Sequence, residues 1–137
     1  MQQEAGNAGE IASGLLRLGA LCLREGNVAA AKSHLRDGLT RMRAQAALPQ
    51  IAGALHQFAA LAVAEGDHER AARLLAAAER LRGEMGTRAS PREGADPVDL
   101  AGAARAALGE AAFGAAREAG SAMSHEQAVA YALEELP

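Results

Sequence analysis

Aromatic side chains are nearly missing from this 137-residue chain: Phe58, Phe113 and Tyr131 are all there are, and there is no Trp. A β-sandwich or barrel, whose core leans on aromatic and β-branched residues, is excluded by that scarcity. Cysteine occurs once, at Cys22, so no intramolecular disulfide can form. The thiol falls at a helix-packing position, where a buried, inert group is expected rather than a nucleophile. Lysine also occurs once, at Lys32, with no Gly-rich loop before it, which excludes a phosphate cradle of the Walker kind. No uninterrupted apolar run approaches the roughly 18 residues of a membrane span, and residues 1–10 lack the basic-then-apolar layout of a secretion signal. A cytoplasmic location without membrane contact is the expectation. A formal net charge of -3 and a pI near 5.8 supply no basic footprint, so direct nucleic-acid binding by this segment is not expected either.

Catalytic and metal chemistry are equally thin. His34, His56, His68 and His125 never fall three or four apart, the spacing that puts two ligands on one helix face. His125-Glu126 opens like a zinc-protease helix, but the second His slot holds Val129, so those residues read as the first turn of a capped helix. Acidic pairs such as Glu134-Glu135 and Glu4 with Glu10 belong to terminal segments and read as a solvated face. The expectation is a non-enzyme with no catalytic residues, no cofactor and no metal.

Alanine, by contrast, fills 37 positions, and hydrophobic residues make up 50% of the chain against 23% charged. Alanine loses no side-chain entropy in a helix and lets helices approach closely, so the composition predicts an all-α fold with thin interhelical layers. An internal repeat organises it. Ile11, Ala12, Leu15, Leu21, Glu25, Gly26, Ala31 and Leu35 reappear 40 residues later as Ile51, Ala52, Leu55, Leu61, Glu65, Gly66, Ala71 and Leu75. Apolar residues three and four apart flank Gly26-Asn27 and Gly66-Asp67, so each copy reads as helix, tight turn, helix. A Gly after a helix can turn left-handed without a Cβ clash, and the following Asn or Asp can accept from the free N–H groups of the next helix. The helices are expected at about residues 9–25, 28–45, 49–65 and 68–84, with Pro49 in the first turn of the third. Ala31, Leu35, Ala71 and Leu75 are the expected packing residues inside the two hairpins.

Residues 1–8 read as a polar extension, and 9–85 as the two repeats, about 9–45 and 49–85. From Gly83 onward the periodicity fails, and residues 86–97 read as a loop before a C-terminal unit, 98–137. Asp96 and Pro97 look like a cap and first residue for a helix ending near Leu108. Gly109 separates it from a short helix over about Glu110 to Ala119, which Gly120 ends. Ser124 with Gln127 forms a capping box for a last helix over about 125–136, with Ala128, Val129, Ala132 and Leu133 on its apolar face.

The repeat resembles a tetratricopeptide repeat. The first copy fills the slots of that pattern with Leu15, Leu18-Gly19, Cys22, Gly26-Asn27, Ala31, Leu35 and Gly38, and the second with Leu55, Phe58-Ala59, Ala62, Gly66-Asp67, Ala71, Leu75 and Ala78. Small residues thus recur where two helices must cross closely. The usual Trp, Tyr and closing Pro are missing, and the 40-residue period is longer than the common ~34. Further on, Gly66-Asp67-His68-Glu69-Arg70-Ala71-Ala72-Arg73-Leu74-Leu75, then Ala107-Leu108-Gly109-Glu110-Ala111-Ala112-Phe113, then Met123-Ser124-His125-Glu126-Gln127-Ala128-Val129 resemble the C-terminal ends of bacterial signal-transduction ATPase regulators. These include LuxR-type and MalT-like transcription activators and related predicted ATPases. The likeness spans about residues 50–136 and departs at Arg117, where such tails often carry Trp. It implies a repeat array that follows a nucleotide-binding module, here stacked as a short right-handed solenoid with a C-terminal helical cap.

In such a stack the first helices line the concave side. Their outward slots are Ser13, Leu16, Arg17, Ala20, Leu23 and Arg24, then Gly53, His56, Gln57, Ala60, Val63 and Ala64, a mixture that suits an amphipathic helix or peptide better than a small anion. Arg41, Arg43, Arg80 and Arg82 fall in last helical turns, where cations complement the helix dipole; an anion-binding role is the sharper reading. The expected function is non-catalytic protein or effector binding at the sensory or scaffold end of a bacterial regulator, with a free-standing adaptor or chaperone-like protein as the alternative. Two repeats are fewer than the roughly three such stacks usually need, and Leu15, Leu16, Leu18 and Leu23 exceed what one partner helix can hide. A homodimer through the N-terminal hairpin, or a preceding repeat in a larger chain, is expected to cover them.

Overall fold

The computed structural model describes residues 2–45, 48–85 and 99–134. Seven helices and no strand occur among them: α1 Gln2–Arg24, α2 Val28–Gln45, α3 Leu48–Ala64, α4 His68–Met85, α5 Leu100–Leu108, α6 Glu110–Ser121 and α7 His125–Ala132. The all-α class follows as expected from the alanine content.

The two expected turns are present and identical. Gly26 and Gly66 both sit at φ 81, the left-handed region that favours glycine. The Gly26 N–H donates to the Leu23 carbonyl at 3.1 Å and the Asn27 N–H to Cys22 at 2.8 Å, and Gly66 and Asp67 donate likewise to Val63 and Ala62 at 3.0 and 2.8 Å. This is the paired closure of a Schellman motif, which satisfies the last carbonyls of α1 and α3. Across each turn Asn27 Oδ1 accepts from the Ala30 N–H and Asp67 Oδ1 from the Arg70 N–H, both at 3.2 Å, capping α2 and α4. A turn this short returns the chain beside itself, so α1 packs on α2 and α3 on α4.

Inside each hairpin the small residues stand where close crossing demands them. A Cβ on Gly38 would come within 3.2 Å of the Ala12 carbonyl and 3.3 Å of Leu15 Cβ, and one on Gly19 within 2.6 Å of Leu35. In the second hairpin the corresponding Ala59 and Ala78 are buried. Ala31, Leu35 and Ala71 are fully buried and Leu75 nearly so, as their packing assignment requires. Replacing Ala31 or Ala71 with Leu should cost about 1–3 kcal/mol by overpacking, read as a lower urea midpoint at unchanged slope; full stability in both variants would contradict this packing.

The hairpins join through α2 against α3 and α1 against α3, and the C-terminal helices then pack on the second hairpin. α5 and α6 lie on α4, and α7 rests on α3 and α4. One core runs from Ala12 through Leu35, Phe58 and Leu74 to Leu133, and a smaller cluster joins Ala72, Ala104, Phe113 and Ala116.

Several boundaries differ from the sequence expectation. α1 starts at Gln2 rather than near residue 9, so the stretch read as an extension is largely helical; Gln, Glu and Ala are strong helix formers, and neither Gly6 nor Gly9 outweighs them. α4 runs through Gly83 to Met85. Residues 86–98, with the expected loop and the Asp96-Pro97 cap, lie outside the described residues. α5 takes Asp99 as its cap instead, whose Oδ1 accepts from the Gly102 N–H at 2.9 Å. Gly109 does end α5, at φ 86, and leads directly into α6. Gly120 does not end α6, which continues to Ser121. The capping box is formed: Gln127 N–H donates to Ser124 Oγ at 3.1 Å, and Ser124 N–H donates to Gln127 Oε1 at 2.9 Å. α7 then stops at Ala132 rather than near 136, because Glu134 turns left-handed at φ 63.

Candidate functional site

The groove residues occupy repeat-equivalent positions on α1 and α3, two helices in contact. Arg17, Arg24 and Ala64 are exposed, while Ser13, Ala20, Gly53, His56 and Gln57 are half-buried. Leu16, Leu23, Ala60 and Val63 are half-buried as well, but they pack against the core and so serve stability more than recognition. The polar side chains this surface offers are therefore Ser13, Arg17, Arg24, His56 and Gln57.

Two of the cations at helix ends, Arg41 and Arg80, have local carboxylate partners. Arg41 Nε donates to Asp37 at 3.0 Å and Arg80 Nε to Glu84 at 3.1 Å, each one turn away. Arg80 also donates to the Ser121 carbonyl, tying α4 to the end of α6. Arg117 pairs with Glu79, an ion pair that joins α6 to α4, and lies over the ring of Phe113 one turn back on α6 at 5.7 Å.

The densest polar constellation is one that sequence reasoning missed. Glu134, at the left-handed turn after α7, faces cations from both hairpins: Lys32 Nζ at 3.1 Å, Arg36 at 3.8 Å and Arg70 at 3.9 Å. Lys32 also lies 3.8 Å from Glu65. Arg70, the least exposed of these cations, donates to the carbonyls of Tyr131 at 2.9 Å and Ala132 at 2.7 Å. It thereby satisfies terminal acceptors of α7, with its guanidinium 4.8 Å from the Tyr131 ring centre. Arg73 Nη1 reaches the Tyr131 hydroxyl at 3.4 Å. Chemically this is a carboxylate held by three cations, a latch that fastens α7 to α2 and α4. No local pattern announces it, because Lys32 and Glu134 lie far apart in sequence and only the fold joins them.

The latch sets a pH dependence. The hydrogen bond from Lys32 holds the Glu134 carboxyl below its ordinary range, with the charges of Lys32, Arg70 and Arg36 assisting and partial burial opposing. A carboxyl whose folded pKa is depressed contributes stability above its unfolded pKa and loses that contribution as pH falls through the folded value. Glu134→Gln should therefore flatten the acid limb of stability between about pH 5 and pH 3, by a modest amount because the pair is solvent-screened. Urea midpoints measured across that range check it, and parallel acid limbs for the two proteins would contradict it.

Among the described residues no group of three His, Cys, Asp or Glu side chains is arranged to hold a metal ion, and no helix is long and apolar enough to cross a membrane. Comparison with protein-family models, with curated proteins and with solved structures gave no match to this chain.

Proposed function

We propose that this chain is a non-catalytic interaction module, a short tetratricopeptide-like stack with a C-terminal helical cap, which serves as the sensory or scaffold end of a cytoplasmic bacterial regulator. The observation that carries this reading is the exact recurrence of one hairpin: the same Schellman turn at Gly26 and Gly66, and equivalent first-helix residues arrayed on α1 and α3. Repeated hairpins generate extended surfaces on which side chains from successive units read one partner. The surface formed by Arg17, Arg24, His56 and Gln57, edged by half-buried aliphatics, fits an amphipathic helix carrying carboxylates on its polar face.

A photo-crosslinking residue at Gln57 tests this. In the host cell it should trap one protein partner, and the adduct should be lost when Arg17 and Arg24 are both changed to Glu. A crosslinker at Thr40, exposed on α2, should not trap that partner. Equal adducts from Gln57 and Thr40 would overturn the reading. An ATPase module encoded in frame ahead of the chain would place it in a regulator rather than in a free-standing adaptor.

A further inference from the structure

The two repeats differ sharply in how one face of their first helix is covered. On α3, Ile51, Ala54, Phe58 and Leu61 are between 0% and 3% exposed, in a helix that contacts α1, α2, α4, α5 and α7. The equivalent residues of α1 are Ile11, Gly14, Leu18 and Leu21. Ile11 is 48% exposed, Leu18 47% and Leu21 52%, and these three are the large exposed hydrophobic residues of the described chain. The sequence reading expected the exposed face at Leu15, Leu16, Leu18 and Leu23, but Leu15, Leu16 and Leu23 are half-buried, so the face is turned about one residue position toward Ile11 and Leu21. Within the molecule, then, the same stripe is buried in one repeat and bare in the other.

The bare stripe is also self-complementary. Ile11, Gly14, Leu18 and Leu21 fall within an arc of about 80° at 100° per residue, with the three- and four-residue alternation of a coiled-coil seam. When two α1 helices run antiparallel about a two-fold axis beside Leu16, Ile11 meets the partner's Leu21 and Gly14 meets the partner's Leu18. Gly14 is an open dimple, since a Cβ added there would meet nothing within 4 Å, and it stands opposite the Leu18 knob. On one flank, exposed Glu10 falls within about 3 Å along the axis of the partner's Arg24, which places opposite charges side by side. The two Arg17 side chains fall on the same flank, between the directions of Glu10 and Arg24, and their length lets them splay toward solvent.

We infer that a second copy of this chain covers the stripe, forming a two-fold dimer in which α1 and α2 of each copy make a four-helix bundle. A closed, isologous contact of this kind buries the same face on both partners and leaves no further edge. The stripe lies on a different arc of α1 from Ser13, Leu16 and Ala20, while Arg17 and Arg24 border both the stripe and the proposed peptide surface.

Sedimentation velocity on the full chain, from low micromolar to sub-millimolar concentration, tests it. The expected result is twice the 14.0 kDa chain mass at the upper end. Leu18→Glu should raise the dimer dissociation constant more than tenfold. Gly14→Leu should do the same while leaving the single chain folded, because the added side chain enters open space there but collides with the partner's Leu18. In a Cys22→Ser background, Ile11→Cys with Leu21→Cys should crosslink between chains through a linker too short for the about 15 Å that separates the two positions within one helix. A monomer throughout the range, or Leu18→Glu and Gly14→Leu proteins that dimerise as well as the parent, would overturn the inference.

Discussion

Phe58→Ala should lower the stability of the chain by about 3–5 kcal/mol, the largest loss expected from any single side-chain truncation in it. Phe58 heads the largest fully buried side chains at 2% exposure and belongs to the cluster that joins α2, α3, α4 and α7. Its removal loses the transfer free energy of a phenyl ring, and the hole left behind is lined by neighbours fixed from several helices, which cannot all collapse into it. A loss of this size is a large share of the 5–15 kcal/mol typical of folded domains, so the urea midpoint should fall by about a fifth or more. The matched control is Leu18→Ala at the equivalent position of the first repeat, which should cost the single chain under about 1 kcal/mol because half of that side chain is already in water. Similar losses at the two positions, measured at concentrations too low for self-association, would show that the repeats are covered alike.

That contrast marks the limit of what sequence could tell about the fold. The helical class, both turns and the capping box were legible because each depends on residues within about five positions of one another. Gly26-Asn27 and Gly66-Asp67 carry the turn conformation and its capping oxygen in the local chain alone. The unequal covering of Leu18 and Phe58 was legible only in part: the small number of repeats pointed to an exposed face on α1 that includes Leu18, but not to Ile11 and Leu21 as its other members. Ile11 and Ile51 are identical, and Leu21 and Leu61 are identical, yet one of each pair is exposed and the other buried, because what covers them is set by position in the array and not by residue type. The cap of α5 is Asp99, whose carboxylate accepts from the Gly102 N–H, a local signal that sequence reasoning passed over in favour of Asp96-Pro97, which lies outside the described residues.

The candidate surface was legible only in outline. Helical spacing places Arg17, Arg24, His56 and Gln57 on outward slots, but it cannot say that Leu16 and Val63 lean on the core, since an i, i+3, i+4 pattern serves a groove and a core equally well. The Glu134 latch was beyond reach altogether. It needs Lys32 and Arg36 from α2, Arg70 from α4 and a non-glycine residue in the left-handed region, and no spacing rule links those positions. Lys32 stands out in the sequence as the lone lysine, but its partner 102 residues away becomes evident only when α7 is seated.

One substitution made at two places in α6 should have opposite signs. Gly114→Ala should stabilise the chain by about 0.5–1 kcal/mol, because Gly114 is exposed inside the helix, a Cβ there meets nothing within 4 Å, and alanine restricts the unfolded chain more than glycine does. Gly120→Ala should instead cost about 3 kcal/mol, the upper end of ordinary overpacking. Gly120 is buried against α4 so closely that a Cβ would overlap the Arg73 carbonyl and stand 2.8 Å from its Cα. Those are backbone atoms in the middle of α4 and cannot swing aside as a flexible side-chain end would. Relief must come from α6 moving off α4 as a body, which loosens the cluster of Ala72, Ala104, Phe113 and Ala116 and the contacts of Arg80 and Arg117 with it. The glycine that punctuates the sequence like a helix end is thus a contact point between two helices, and its conservative replacement should be among the costlier changes in the chain. Urea titrations of the two variants side by side decide the matter: a rise in midpoint for Gly114→Ala and a marked fall for Gly120→Ala are expected, whereas equal shifts would mean that α6 does not approach the α4 backbone at Arg73.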